Sequence, residues 1–174
     1  MSVKKILTEP NKLLRQVSKT VDFVGKEEQK LMDDMMDTMY DANGIGLAAI
    51  QVGVPKRIIV LDISKDQKNK NPMFFVNPII KNKHEDKTSY EEGCLSVPGQ
   101  FAEIQRPSSC EVEYLDYNGK KKILKADGLL STCIQHEMDH LEGILFIDYL
   151  SKLKKSMIIK KLSKVKANPE RIVV

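Results

Sequence analysis

Residues 135–140 read Gln-His-Glu-Met-Asp-His, which contains the pattern HExxH. In a helix, residues four apart lie on the same face, so His136 and His140 can present two imidazoles to one metal ion. Glu137 lies beside them as a group that can transfer protons. A catalytic metal site of this kind has three protein ligands and an open fourth position. The third ligand therefore determines what kind of site this helix builds.

The helix around this pattern is predicted to be enclosed by the rest of the protein. Asp127 is a suitable N-cap, and Gly143 is a suitable C-terminal cap. At about 100° per residue, Cys133 shares the arc of the two histidines, an apolar arc lies next to it, and a third arc is polar. The polar arc consists of Ser131, Gln135, Asp139 and Glu142. We expect this helix at the centre of the fold and not on its surface.

The size and composition of the chain favour one globular unit. The 174 residues are enough for one domain with a core of its own and too few for two. No apolar run approaches a membrane span, and the N-terminus lacks the apolar segment of a signal peptide. Three cysteines, an odd number, favour reduced thiols or a ligand over a disulfide framework. The net charge of +4 is too small to indicate a nucleic-acid partner by itself. We expect a single domain over residues 1–174, in the cytoplasm and not in a membrane.

Helical spacing predicts an α-helix on each side of a β-rich middle. In residues 26–42, apolar side chains, mostly methionines, recur every three or four positions, while Asp33, Asp34 and Asp37 fall mainly on the other face. Residues 151–167 form a second such pattern, with seven lysines and no acidic residue. Its apolar positions are Leu153, Met157, Ile158, Leu162 and Val165. The lysine face of this helix suits both plain solvation and a binding role.

Strands are predicted between these helices. Residues 57–63 and 73–80 are apolar runs typical of buried strands. Residues 110–117 alternate between apolar and polar, and they lead through an Asn-Gly pair into residues 120–126. Because Asn-Gly is a strong turn signal, these two segments are predicted to form a β-hairpin.

Three segments are predicted to be loops. Residues 44–53 are rich in small side chains and have neither a helical nor a strand period. Glycines in such a loop permit the close approach of another backbone or a ligand. Residues 64–71 and 81–89 are polar and rich in lysine, which indicates exposed loops.

The three cysteines are the first candidates for the missing ligand, because thiolate binds divalent metals well. Cys133 shares the helix with the histidines but lies about 10 Å along the axis from His140, too far for a short side chain. We expect it to line a pocket. Cys110 begins an alternating strand and is expected to be a packing residue. Cys94 follows a glycine and precedes Pro-Gly, so a bend there could expose both its thiol and the next backbone N–H.

Three motifs together resemble the signature motifs of the peptide deformylases. They are Gly44-Ile45-Gly46-Leu47-Ala48-Ala49-Ile50-Gln51, Glu92-Gly93-Cys94-Leu95-Ser96 and the HExxH stretch. Their order and spacing match those of the family, and the resemblance covers essentially the whole chain. It implies an α+β fold in which the HExxH helix is surrounded by antiparallel and mixed β-sheets, with a helix at the C-terminus. It also implies hydrolysis of the formyl group from the N-terminal N-formylmethionine of newly synthesised proteins, with release of formate.

The resemblance further implies a metal site. Cys94, His136 and His140 would hold one divalent ion, with water in the fourth position. One thiolate and two imidazoles are compatible with iron(II), zinc, nickel or cobalt. Family members that resemble this chain generally use iron(II), so iron(II) is the expected physiological ion.

The catalytic roles follow from the same resemblance. Glu137 would act as general base and then general acid, taking the proton of the water and giving it to the leaving amine. The side-chain amide of Gln51 and the backbone N–H of Leu95 would donate hydrogen bonds to the oxyanion of the tetrahedral intermediate.

Substrate binding is expected to use mostly backbone, since the enzyme must accept many nascent chains. An extended peptide would pair with residues on two sides of the site and would place its methionine in a pocket. The residues expected to bind the substrate are Gly44, Ile45, Gly46, Glu92, Gly93, Thr132 and Cys133.

Two further positions are singled out near this site. Phe101 stands where many family members have arginine, which concerns only the preference beyond the methionine. Asp139 points away from the histidine arc, and we expect it to pair with Arg106 as support for the metal site.

Two alternatives stay open on the residues alone. One is a metallopeptidase that uses the same HExxH helix on a different substrate. The other is a metal-stabilised binding module that contacts ribosomal RNA through the lysine-rich residues 151–167. A deformylase would also meet its nascent-chain substrate at the ribosome, so weak ribosome association through this helix is expected in either case.

Overall fold

The computed structural model describes residues 2–64 and 69–167. These residues form three α-helices and seven β-strands, with three short 3₁₀ helices between them. The helices are α1 (Lys26–Asp41), α2 (Gly128–Leu141) and α3 (Lys152–Ala167), and the strands are β1 (Gly46–Ala48), β2 (Ile58–Leu61), β3 (Met73–Lys83), β4 (Lys87–Cys94), β5 (Val97–Pro107), β6 (Ser109–Leu115) and β7 (Lys121–Asp127). The 3₁₀ helices are Lys12–Arg15, Ala49–Val52 and Phe146–Tyr149.

The strands form two sheets, and α2 packs against both. One sheet has five strands in the order β1-β2-β3-β6-β7, and the other is the β4-β5 hairpin. Every pairing between these described strands is antiparallel, and a single parallel bridge joins Lys19 to Lys56. Ile134 and Leu141 of α2 are fully buried in one cluster with Phe75 of the large sheet. The predicted α+β class and the central position of the HExxH helix are confirmed.

The ends and the polar side of α2 show why this helix is enclosed. Asp127 is its N-cap, as predicted, although the aspartate side chain makes no capping hydrogen bond. Gly143, with φ of +71°, follows the end of the helix as predicted. The arc that was predicted to be polar does not face water throughout, because Gln135 is buried and donates a hydrogen bond to the carbonyl of Pro107, 3.0 Å away. The end of β5 therefore covers this side.

Helix α1 begins at the predicted residue and ends one residue earlier than predicted. Met32, Met35 and Met39 are completely buried, as the spacing indicates. The placement of Asp34 on an outer face was wrong. Its carboxylate is buried because the N-terminal segment crosses the helix, and it accepts hydrogen bonds from the Ser2 N–H and the Lys30 ammonium, both at 2.9 Å.

Two of the predicted loops contain strands. Residues 44–53 include β1, which pairs with β2, and then a 3₁₀ helix. Residues 81–89 include the end of β3 and the start of β4. Residues 81–89 are polar and almost all exposed, so their sequence carries no apolar alternation that would indicate a strand. In the third predicted loop, residues 64–71, positions 65–68 lie outside the described residues.

The C-terminal helix is confirmed, but only part of its apolar stripe is buried. Leu162 packs into a cluster with Phe146 and Ile147. Leu153 and Met157 are 72% and 62% exposed, so they lie on the surface with the lysines. The side chain of Val165 lies outside the described part of the chain. Within that part, no helix is both long enough and apolar enough to cross a membrane.

Candidate metal centre

Three side chains with ligand atoms converge between β4 and α2. Cys94 ends β4, whereas His136 and His140 lie one turn apart on α2. The ligand atoms of all three residues lie within 4.8 Å of one another. The sulfur of Cys94 is 3.2 Å from Nε2 of His140. The structure therefore places beside the histidines the cysteine that the sequence favoured.

The other two cysteines lie elsewhere. Cys110 is buried in the main core cluster, as expected of a packing residue. Cys133 is also buried, and its sulfur lies 3.7 Å from the carbonyl oxygen of Ile45, against the wall of a cavity. Cys133 is not part of the cluster of candidate ligand atoms, in agreement with its axial distance from His140 along α2.

A buried carboxylate orients His136. Oε2 of Glu92 is 2.8 Å from Nδ1 of His136, and Glu92 also accepts two hydrogen bonds from Arg106, at 2.6 and 3.0 Å. Burial alone would raise the pKa of Glu92, but the hydrogen bonds from His136 and Arg106 outweigh burial and hold that pKa below its ordinary value. An ionised carboxylate can only accept, so Nδ1 of His136 carries the hydrogen and Nε2 is left to bind a metal.

Arg106 joins this carboxylate to a second one. Its Nη1 donates to Oδ2 of Asp139 at 2.7 Å, which confirms the predicted pair. Tyr149 donates from its hydroxyl to the same Asp139 oxygen at 2.8 Å, and its ring lies 5.0 Å from the guanidinium carbon. The guanidinium is buried, so its charge depends on these partners.

Glu92 was predicted only as a substrate-binding residue, so its contact with His136 was not foreseen. A signal was present. Alternate residues of a strand point to the same face, so Glu92 and Cys94 face α2 together. A carboxylate beside a cysteine ligand on one strand face is well placed to accept from a histidine ligand.

The donor set fits a divalent metal. Burial lowers the pKa of His140 well below its ordinary value, which favours the neutral imidazole that binds metals. Nδ1 of His140 is buried and has no hydrogen-bond partner among the described residues, while Nε2 faces Cys94. One sulfur and two nitrogens on converging elements would hold such an ion and would leave it a fourth position for water or substrate.

Glu137 faces the same place from α2. It is 4% exposed, and its Oε2 has no hydrogen-bond partner among the described residues. Burial, which disfavours the charged form, raises the pKa of Glu137 to about 7. The Glu137 carboxyl therefore lies next to the candidate ligands, and among the described residues no structural hydrogen bond occupies its Oε2.

The side chain of Gln51 also lies close to Cys94. Its amide nitrogen lies 3.6 Å from the sulfur of Cys94 and donates to the hydroxyl of Ser96 at 3.0 Å. Leu95 directly follows Cys94 in the two-residue turn between β4 and β5. Both residues predicted to stabilise the oxyanion thus lie next to Cys94, Gln51 through space and Leu95 along the chain.

A cavity of about 460 Å³ opens beside these residues. All seven residues predicted to bind substrate line it, together with Gln51, Cys94, Leu95, His136 and Glu137. Leu129 and Phe101 also line the cavity, and Leu129 was not predicted. The backbone of Ile45 is less available to a substrate than expected, because its carbonyl already accepts a hydrogen bond from the N–H of Asp62 at 2.9 Å.

Comparison with known proteins agrees with this geometry. A family model described as polypeptide deformylase matches residues 3–156. The chain belongs to the polypeptide deformylase family. It is accordingly a hydrolase. The peptide deformylase of Pelagibacter ubique is 77% identical over 174 residues, which cover all of both chains. That of Rhizobium meliloti is 51% identical over 164 residues, or 94% of each chain.

Solved structures support the same family. The crystal structure of peptide deformylase from Ehrlichia chaffeensis superposes with a TM-score of 0.92 at 43% identity and covers 97% of this chain and 99% of its own. A second structure of the Ehrlichia chaffeensis deformylase, in complex with actinonin, gives a TM-score of 0.91 at 46% identity, covering 94% of this chain and 98% of its own. The deformylase fold extends over nearly all of the chain.

Proposed function

We propose that this protein hydrolyses the formyl group from the N-terminal N-formylmethionine of nascent polypeptides and releases formate. The main support is that Cys94, His136 and His140 converge beside Glu137 and Gln51 at one cavity. Family membership and the 77% identical relative named peptide deformylase support this reaction over others that use an HExxH helix. We place the activity in one domain over residues 1–174, in the cytoplasm, where nascent chains carry the formyl group.

We assign one divalent metal to the site, with Cys94, His136 and His140 as ligands. Iron(II) is the proposed physiological ion, and zinc, nickel or cobalt would substitute, because thiolate and imidazole donors accept all four. When bound, such an ion supplies a Lewis acid that lowers the pKa of a water molecule. Glu92 keeps Nε2 of His136 directed at this ion through the hydrogen bond to Nδ1.

Glu137 moves the proton in this proposal. It takes a proton from the attacking water and gives it to the amine nitrogen as the bond from the formyl carbon to nitrogen breaks. The products are formate and a free N-terminus. Glu137 is buried, and its Oε2 has no hydrogen-bond partner among the residues that the structure describes. Both observations support this role, because the carboxyl can turn between water and amine without breaking a structural hydrogen bond at that oxygen.

The oxyanion that forms on the formyl oxygen is stabilised by two donors. The amide nitrogen of Gln51 and the backbone N–H of Leu95 are assigned to it. The location of Gln51 near the sulfur of Cys94 supports its part. Leu95 occupies the turn after Cys94, so a single bend would supply both a metal ligand and a donor.

The peptide backbone is assigned to the edge formed by Gly46 of β1 and Gly93 of β4, with its methionine in the cavity. Ile45, Thr132, Cys133 and the methylenes of Glu92 form the pocket walls in this proposal. Gly44 precedes this edge and allows Leu95 to pack closely, because a Cβ on Gly44 would lie 2.8 Å from Cδ1 of Leu95.

We further propose weak ribosome association through α3. The exposed lysines of this helix and the exposed Leu153 and Met157 support a contact with a phosphate-rich surface that also offers apolar area. Reversing the charge of Lys154, Lys161 and Lys164 should reduce cosedimentation with ribosomes and its salt sensitivity, as should removal of residues 151–174. The same reversal at Lys120, Lys122 and Lys125 is the matched control. Equal binding by both triple variants would remove this part of the proposal.

The reaction is tested with formyl-Met-Ala-Ser and protein purified without oxygen, with metal analysis of the same sample. Formate release from this peptide, with no cleavage of unblocked Met-Ala-Ser, is the expected result. Cleavage of the unblocked peptide would indicate a metallopeptidase. Tight metal binding without either reaction would indicate a metal-stabilised binding module.

A further inference from the structure

The side-chain amide of Gln51 is held at both of its polar atoms. Its oxygen accepts from the backbone N–H of Ala48 at 2.8 Å, and its nitrogen donates to the hydroxyl of Ser96 at 3.0 Å. Gln51 and Ser96 are both buried, with Ser96 fully inaccessible. The amide is therefore fixed in rotation as well as in position.

This arrangement divides the two hydrogens of the amide nitrogen between different partners. One is used by the oxygen of Ser96. The other is left on the side where the nitrogen lies 3.6 Å from the sulfur of Cys94, facing the candidate metal centre. Loss of the Ser96 hydroxyl would release the first hydrogen and allow the amide plane to turn, since a primary amide has two equivalent donors.

The backbone around this pair is also tied together. The N–H of Leu7 donates to the carbonyl of Gln51 at 2.7 Å, and the N–H of Glu9 donates to the carbonyl of Ser96 at 2.9 Å. Residues 7–9 thus bridge the 3₁₀ helix that carries Gln51 and the β4-β5 turn that carries Ser96. The distance between the amide and the hydroxyl is set by this bridge, so the Ser96 side chain has only to orient the amide.

We propose that Ser96 is a positioning residue: its hydroxyl accepts one amide hydrogen of Gln51 and so aims the other at the formyl oxygen. This inference rests on the proposed deformylase reaction. Ser96 touches neither the substrate nor the reacting atoms and acts only through Gln51. Ser96 thus contributes to stabilising the oxyanion indirectly, because it contacts the Gln51 amide and not the oxyanion.

The kinetic test is a double-mutant cycle on the metal-loaded protein. Ser96→Ala is expected to lower kcat about 10-fold with little change in KM, less than the roughly 10²- to 10³-fold expected when a whole oxyanion donor is lost. In a Gln51→Ala background, Ser96→Ala should have no further effect, because its action passes through the missing amide. Metal content should equal that of the parent in every variant.

A control separates this role from the general cost of losing a buried hydroxyl. Ser18 is buried, and its hydroxyl has no hydrogen-bond partner among the described residues. Ser18→Ala should leave kcat unchanged. Unchanged kcat in Ser96→Ala, or an equal loss in both Gln51 backgrounds, would overturn the inference.

A spectroscopic readout does not depend on activity. In zinc-loaded protein with ¹⁵N-labelled glutamine, the side-chain signals of Gln51 are those that disappear in Gln51→Ala. In Ser96→Ala they should shift and exchange faster with water. The side-chain signals of Gln135, which donates to Pro107 and Ser131, are the internal reference and should not change.

The kinetic and the spectroscopic experiments together distinguish a failure of the proposed function from a failure of this inference. A parent protein that releases no formate would refute the proposed function, while the Gln51 signals would still show whether Ser96 orients the amide. A fully active parent whose Gln51 signals are the same with and without the Ser96 hydroxyl would refute the inference alone.

Discussion

Gly46 of β1 and Glu137 of α2 are so close that no side chain fits between them. A Cβ built on Gly46 would overlap Oε1 of Glu137 and would lie 2.9 Å from its carboxyl carbon. It would also lie 2.9 Å from Cδ2 of Leu61 on the neighbouring strand. The constraint at Gly46 concerns space and not backbone angles, so any side chain here would displace the Glu137 carboxyl or Leu61. The Glu137 carboxyl thus packs directly against the backbone of Gly46.

Gly46→Ala should therefore act on catalysis through Glu137. The methyl group would push the carboxyl out of its place, so we expect kcat to fall by about 100-fold or more, as for loss of a general base. The metal should be retained, because no ligand is touched. Glu137→Gln is the reference and should show the same pattern of retained metal and lost turnover.

The matched control for this change is Gly53→Asn. Gly53 has φ of +86° and open space around its Cβ position, and asparagine tolerates that conformation better than other residues do. Its kcat should stay near that of the parent. Normal turnover in Gly46→Ala would contradict the role given to Glu137 or to its contact with Gly46.

The three cysteines give a second prediction. Cys94→Ser should lose metal affinity and activity together, because a hydroxyl replaces the thiolate beside the two histidines. Cys110→Ser should retain the metal, since that thiol is buried in the core away from the site. The measurement is metal content after dialysis against a weak chelator. Equal metal loss in both variants would show that destabilisation, and not ligation, explains the effect.

Arg106 gives a third prediction, on stability and metal affinity at once. Arg106→Met keeps the bulk of the side chain but leaves the buried Glu92 carboxylate without its guanidinium. Breaking a buried ion pair in this way lowers the free energy of unfolding by about 3–5 kcal/mol. Because Glu92 then holds His136 less firmly, metal affinity should fall by about 10- to 100-fold.

The comparison variant is Arg57→Met. Arg57 pairs with Glu142, a half-exposed carboxylate, at 2.6 Å. A pair of this kind contributes about 0–1 kcal/mol, so urea unfolding should be nearly unchanged. Parent-like unfolding and metal binding in Arg106→Met would mean that the network around Glu92 does not support the site.

Periodicity predicted the buried methionine face of α1 and the enclosure of α2, but it did not predict the partners of individual side chains. The rise of a helix argued against Cys133 as a ligand, and the arcs of α2 indicated its central position. The partners of Asp34 and Glu92 lie 32 and 44 residues away, at Ser2 and His136, and no pattern within one element contains that information.

The β4-β5 hairpin was missed for a related reason. Its strands are half exposed and carry little apolar alternation. Leu95-Ser96, its turn, contains neither Gly, Pro, Asn nor Asp, and serine by itself is a weak turn signal. Only the bend around Cys94 was predicted. The hairpin supplies Cys94, Glu92 and Ser96, so the site could be only partly derived from local sequence.

A fourth prediction concerns stability in acid. The ammonium of Lys30 and the N–H of Ser2 hold the pKa of Asp34 well below its ordinary value. Because the folded pKa lies below the unfolded pKa of about 3.9, the stabilisation is complete above about pH 4 and is lost as the pH falls further. The difference in unfolding free energy between the parent and Asp34→Asn should be largest at neutral pH and should shrink below about pH 4.

Urea unfolding of both proteins over this range is the measurement. Asp41→Asn, at an exposed carboxylate at the end of α1, is the control and should track the parent at every pH. A difference for Asp34→Asn that is constant with pH would show that the ion pairs of Asp34 are not its source.

Phe101 gives the fifth prediction, on the residues that follow the methionine. Its ring lies against its cross-strand partner Gly93, where a Cβ would be 2.6 Å from the ring, and it is 65% exposed at the cavity. A peptide bound along Gly93 would pass this ring. Phe101→Arg should shift the ratio of kcat/KM for formyl-Met-Ala-Leu over formyl-Met-Ala-Glu downward by about 10-fold, because it replaces an apolar contact by a positive charge.

The ratio is the useful quantity, because a general loss of activity affects both peptides equally. Phe23 is also exposed but lies outside the cavity lining, so Phe23→Arg should leave the ratio unchanged. If Phe101→Arg also leaves it unchanged, the bound peptide does not run past the ring. The proposed pairing of the substrate backbone with the strand edge at Gly93 would then be wrong, whereas the proposed metal site and the proposed hydrolysis would be unaffected.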